Sequence, residues 1–181
     1  MIPLPTHDGW AAAAQPGADV AAFARRSGLD LLRFAYLLCG DRHRAEDLLQ
    51  DVLLSMYRRF PGELPLDNPV GYARRALANA NISWARRRSS TEVVVDLFRD
   101  AAVPTGSDPA DRDALWQALR RLPVRQRTVL VLRFYEDATD TDIAAALDCR
   151  RGTVRSLASR GLAALRADHT LDTDTPEGGS R

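Results

Sequence analysis

The chain predicts an all-α protein built as two small helical domains joined by a flexible linker. Three observations carry that prediction. Leucine and alanine dominate the apolar residues while aromatics make up only 7% of the chain, a balance that favours helices over strands. Apolar residues recur three and four apart through most of the length. Between residues 89 and 111 the composition shifts to Pro, Gly, Ser and Asp, around EVVVDLF and AAVPTGSDPAD, which reads as a connection between separate cores. The 181 residues suffice for one medium domain or two small ones.

Residues 1–18 are rich in Ala, Pro and Gly and are expected to form a flexible arm. Val20, Phe23, Leu31, Leu32, Phe34, Ala35 and Leu38 then mark a first helix, with Gly28 a candidate break and Gly40 the stop. Asp41 opens a second helix whose stripe is Ala45, Leu48, Leu49, Val52, Leu53, Met56 and Phe60. Pro61 ends it, and PGELPLDNP is a loop. A third helix runs from Val70 to Arg88 through Tyr72, Ala76, Ala80 and Trp84, which bounds a first domain at 19–89. In the connection, 90–111, VVVDLF has no partner strand and reads better as a docked, extended piece of linker. The second domain, 112–168, has helices over 112–121 and 124–135 separated by Pro123, then a helical hairpin. The tail, 169–181, is too polar to fold alone.

The hairpin, Thr139 to Arg166, is the most informative stretch. Thr139 and Asp142 have the capping-box spacing at the start of its first helix, which turns Ile143, Ala144 and Leu147 to one face. Asp148, Cys149 and Arg150 make the turn. The second helix turns Val154, Leu157, Ala158, Gly161 and Leu165 inward, and its other face presents Arg151, Thr153, Arg155, Ser156, Ser159 and Arg160. Arginines and small hydroxyls on one acid-free face suit phosphates and guanine edges in a DNA groove. An amphipathic hairpin with a solvated basic face is the competing reading.

The third helix, YARRALANANISWARRR, is a second acid-free basic surface, with Arg74, Arg75, Arg86, Arg87 and Arg88. Asn79, Asn81, Tyr72 and Trp84 add amides and rings that suit separated DNA strands. Core packing of the rings and a cation-rich helix C-terminus are the plainer alternatives. RAEDLLQDVLL has the opposite character. Glu46 and Gln50, like Asp47 and Asp51, lie one turn apart, a patch for a protein partner or a solvated face.

Net charge is +1 and all 25 basic residues are arginine. The missing lysines read mostly as a coding bias of a GC-rich genome, and every phosphate contact then falls to guanidinium. Cys39 and Cys149 are isolated thiols without a CxxC or Cys/His cluster, so no metal and no cofactor is expected. Their pattern fits a reducing cytoplasm. The N-terminus has no signal-peptide pattern, and no apolar run approaches the roughly 18 residues of a membrane span.

AEDLLQD, the Asn79 and Arg-rich helix, LPVRQRTVLVLRFYED and GTVRSLASRGLAALR occur in an order that closely resembles bacterial sigma factors of the extracytoplasmic-function (ECF) group, minimal members of the sigma-70 family. GDRHRAEDL and ASRGLAALR are most similar to the actinobacterial SigE family. The resemblance covers about Val20 to Asp168 and implies a sigma domain 2 bundle and a sigma domain 4 helix-turn-helix. It implies that Glu46, Asp47, Gln50 and Asp51 grip the β′ clamp helices of core RNA polymerase. Asn79 would contact the opened −10 element, with Arg86, Arg87 and Arg88 on nearby phosphates, and the loop Pro61 to Asn68 would capture a flipped base. Arg155 matches a phosphate-contacting position, and Ser156, Ser159 and Arg160 match those facing −35 bases, beside Arg151 and Thr153. Leu132 and Phe134 would sit against the β flap. An anti-sigma factor is a further partner that the resemblance admits.

The chain departs from the family where Gly and then Ser are common: it has Asp148 and Arg150. Arg150 thereby replaces the usual N-cap of the recognition helix, at a cost of about 1 kcal/mol. The function expected is a promoter-specificity subunit, not an enzyme. The alternatives are a stand-alone helix-turn-helix regulator binding duplex DNA as a dimer, and a small enzyme using Glu46, Asp47 and Asp51. The first leaves the acidic helix and the Asn79 helix without a purpose. Nothing in the sequence demands the pocket that the second requires.

Overall fold

The computed structural model describes residues 19–89 and 117–173. Every described element is helical, so the expected fold class stands. In chain order these are α1 (Val20–Cys39), α2 (Arg42–Arg59), α3 (Pro69–Ser89), a short turn of helix over 117–121, α4 (Val124–Phe134), α5 (Asp140–Ala146) and α6 (Arg151–Thr173). The VVVDLF segment and both chain ends lie outside the described residues.

α1, α2 and α3 pack on one another through the stripes read from the sequence. Phe23, Leu31, Phe34, Leu38, Leu48, Met56 and Leu77 are fully buried. Asp19 caps α1 by accepting from the Ala22 amide at 2.6 Å, and Gly40 closes it in a left-handed conformation, φ 86°. Asp41 then caps α2 by accepting from the Arg44 amide at 2.7 Å. Asn68 Oδ1 accepts from the Gly71 amide at 2.7 Å, and Pro69 begins α3, where its missing N–H costs nothing. α1 runs unbroken through Gly28. A mid-helix glycine costs only about 1 kcal/mol, and the buried residues on both sides outweigh it.

In the second unit Val129, Leu130, Leu132, Ile143 and Val154 form the core. Leu132, expected on a polymerase-facing surface, is wholly buried there. Phe134, 53% exposed, is the one that faces out. α4 and α6 approach closely at Gly161, where a Cβ would lie 2.9 Å from Leu130 Cδ1 and 3.3 Å from its Cγ. Gly161→Val should therefore overpack this contact and lower stability by about 1–3 kcal/mol, as read by urea unfolding.

Candidate nucleic-acid interface

The capping box forms as its spacing predicts. The Thr139 hydroxyl accepts from the Asp142 amide at 3.2 Å, and Asp142 Oδ2 accepts from the Thr139 amide at 3.3 Å. α5 ends in a Schellman closure, with the Cys149 amide donating to the Ala144 carbonyl at 3.0 Å and Asp148 between them at φ 47°. That left-handed conformation is why glycine suits this position, and aspartate is among the residues that tolerate it best. The Arg150 carbonyl accepts from the Thr153 and Val154 amides at 2.9 and 3.2 Å, so Arg150 occupies the N-cap of α6 with a side chain unable to accept. Arg150→Ser should supply the missing acceptor and raise stability by about 1 kcal/mol in thermal unfolding.

With the turn so fixed, α6 buries Val154, Leu157, Ala158 and Gly161 and exposes Arg151, Thr153, Arg155, Ser156, Ser159 and Arg160. All six predicted residues thus share one solvent-facing surface. Two of the arginines are partly engaged. Arg155 Nε donates to Asp140 Oδ2 at 3.3 Å, on a carboxylate that also binds Arg133. Arg160 Nε donates to the Ser156 carbonyl at 3.2 Å.

On α3 the residues divide. Arg75, Arg86, Arg87 and Arg88 are exposed. Trp84 is held between the Arg44 and Arg88 guanidiniums, 4.5 and 4.9 Å from its ring centre. Tyr72 packs edge-on against Phe60. Asn81 is buried and donates to the Leu38 carbonyl at 3.1 Å, a structural amide inside the bundle and not a surface one. Arg74, counted among the basic surface residues, is buried and pairs with Glu136 at 2.6 Å, because α4 and the segment after it pack over this part of α3. Asn79 is half-buried and donates to the Ala146 carbonyl at 2.8 Å.

On α2, Asp47, Gln50 and Asp51 are exposed, while Glu46 is half-buried and pairs with Arg42 at 2.9 Å. Leu54 and Tyr57 extend this face, 48% and 61% exposed. They belong to no apolar stripe, and that misfit was the signal available in the sequence. Acidic groups beside bare apolar ones are suited to a protein partner more than to a metal. In the loop before α3, Leu64 is buried and anchors the segment, while Glu63, Pro65 and Asp67 face solvent.

Residues 23–91 match the sigma-70 region 2 family and residues 112–165 match sigma-70 region 4. The chain is 38% identical over 139 residues to the RNA polymerase sigma-E factor of Streptomyces avermitilis, spanning 76% of this chain and 78% of that one. It belongs to the sigma-70 family, in the extracytoplasmic-function group. The ECF sigma factor SigM of Mycobacterium tuberculosis is 32% identical over 148 residues, 78% of this sigma factor and 72% of that protein. Among solved structures it is similar to the sigma factor RpoE of Bartonella quintana in complex with the anti-sigma factor NepR. The TM-score is 0.64 at 26% identity, covering 84% of this chain and 98% of that one. The protein is thus an RNA polymerase sigma factor whose fold and motif order were legible in the sequence. No described helix is long and apolar enough to cross a membrane.

Proposed function

We propose that this sigma factor divides promoter recognition between the two basic helices and leaves core binding to α2. The observation that carries the reading is that α3 and α6 each present exposed, acid-free arginine faces, while α2 presents Asp47, Gln50 and Asp51 beside bare Leu54 and Tyr57. The working division is 19–89 for the −10 element and core, 90–111 for the connection, and 112–168 for the −35 element.

In this reading Glu46, Asp47, Gln50 and Asp51 meet the β′ clamp helices. Arg151, Thr153, Arg155, Ser156, Ser159 and Arg160 lie along the −35 major groove, as the second helix of such a hairpin does. Phe134 supplies apolar surface to the β flap. Asn79 reads the opened −10 strand, with Arg86, Arg87 and Arg88 on its phosphates. The bond-making chemistry belongs to the polymerase, so the sigma factor itself is no enzyme and works in the cytoplasm. The likeness to RpoE bound by NepR extends the partner set to an anti-sigma factor.

Few base contacts per domain mean weak binding by either alone, with specificity arising when both elements are engaged together. The free protein should therefore bind a duplex promoter weakly, with affinity falling steeply between about 50 mM and 200 mM salt. Fluorescence anisotropy with a promoter fragment and a scrambled one tests this. Tight, sequence-specific binding without core would favour a stand-alone regulator.

A further inference from the structure

We propose that Cys39 is an oxidation site for hydroperoxides, with Arg127 placed as the cation that holds the oxidised sulfur. The thiol belongs to the last residue of α1, and its Sγ donates to the Asp41 carbonyl at 3.4 Å. It keeps 9% of its surface, the most of any apolar core residue among those described. So narrow an opening suits an oxidant little larger than water.

The second observation concerns the cations around this sulfur. Arg127, on α4, is only 7% exposed and lies close enough to Cys39 that each influences the other's ionisation. Its Nε is buried with no hydrogen-bond partner. The ionisable groups that act on Arg127 are Cys39 and Arg120, and neither supplies a negative charge at rest. Arg44, in the first turn of α2, brings a second guanidinium toward the thiol. Its Nε is also buried without a partner, and its guanidinium carbon lies 4.5 Å from the Trp84 ring centre. Asp41 is the carboxylate that acts on the thiol, but it is committed to the Arg44 amide at 2.7 Å as the cap of α2. A guanidinium buried without a counter-ion is costly. The neighbour of Arg127 able to gain a negative charge is Cys39.

Reduced, the thiol stays protonated, because burial raises it above its ordinary value against the pull of Arg127 and Arg44. Oxidation proceeds through the thiolate fraction. Its sulfur attacks one oxygen of hydrogen peroxide, an S–O bond forms as the O–O bond breaks, and hydroxide leaves. The proton lost by the thiol converts that hydroxide to water. Sulfur gives up two electrons, peroxide takes them, and the product is a sulfenic acid. Deprotonated, it offers Arg127 an anionic oxygen and a charge-assisted hydrogen bond. Oxidation thereby ties α4 to the end of α1 by a bond that the reduced protein lacks, and one residue registers peroxide.

The test uses the full chain carrying Cys149→Ser, which leaves Cys39 as its one thiol. Hydrogen peroxide added to the folded protein should add one oxygen to the Cys39 peptide, read by mass spectrometry. Dithiothreitol should remove it, which separates it from methionine sulfoxide. A further Cys39→Ser change should abolish this reversible gain. The oxidised protein should unfold about 2–4 °C above the reduced one, the scale of one added charge-assisted bond in a chain of this length. Arg127→Met should cancel or reverse that rise, because the new oxygen is then buried without its cation. Arg127→Lys should retain a rise. A Cys39 peptide that gains oxygen only in urea-unfolded protein overturns the site. No rise with Arg127 in place, or an equal rise with Arg127→Met, overturns the pairing.

Discussion

Asp47→Arg combined with Asp51→Arg should abolish core-dependent transcription while leaving the fold unchanged. Both carboxylates are exposed on α2, and the apolar interior of the bundle lies on its opposite face, at Ala45, Leu48, Leu49 and Val52. Surface changes away from caps and cores alter stability by no more than about 0.5 kcal/mol. At an interface, each reversal replaces attraction with like-charge repulsion. A residue at an interface hot spot is worth about 2 kcal/mol or more, roughly 30-fold in affinity. The double reversal should exceed that. Tyr57→Ala should weaken core binding by a similar order without altering its salt dependence, because it removes apolar contact and no charge. Pull-down of core polymerase by wild type and variants, with thermal unfolding as the control, reads both effects. A double reversal that still retains core would remove α2 from the interface.

The second large effect belongs to α6. Arg160→Ala, on the exposed face, should cost about 1–3 kcal/mol at a base-reading position and relax the preference there. Arg155→Ala should instead weaken binding similarly across sequences and lower the salt slope by about one, as loss of a phosphate contact does. Arg155 is tied to Asp140, which also holds Arg133. Asp140→Asn should weaken both pairs and change −35 affinity through Arg155. Promoter variants randomised at −35, transcribed by each holoenzyme, separate specificity from affinity. If Arg160→Ala shifts every sequence equally, Arg160 contacts backbone and not bases.

The sequence exposed most of this arrangement wherever the determinant is local. Spacing of three and four residues placed Val154, Leu157 and Ala158 inward and the six polar positions of α6 outward. The Thr139–Asp142 box and the Asp41 cap are short-range bonds between neighbouring residues, and both form. What escaped is what depends on distant partners. Nothing near Asn79 announces the carbonyl it meets 67 residues later. Arg74 resembles its exposed neighbour Arg75 until Glu136 covers it. Asn81 and Leu132 are buried for the same reason: each lies on a helix with a plausible functional face, and only packing decides which way it turns. Gly28 misled in the other direction, because propensity is weak against a well-packed helix on both sides.

The most direct measurement is run-off transcription over genomic fragments, by core RNA polymerase with and without this protein. The proposed division of roles among α2, α3 and α6 requires protein-dependent transcripts whose start sites share −35 and −10 sequences, lost on Asp47→Arg with Asp51→Arg. Absence of any such transcript, together with failure to co-elute with core, would contradict it and leave a stand-alone DNA-binding regulator as the leading reading.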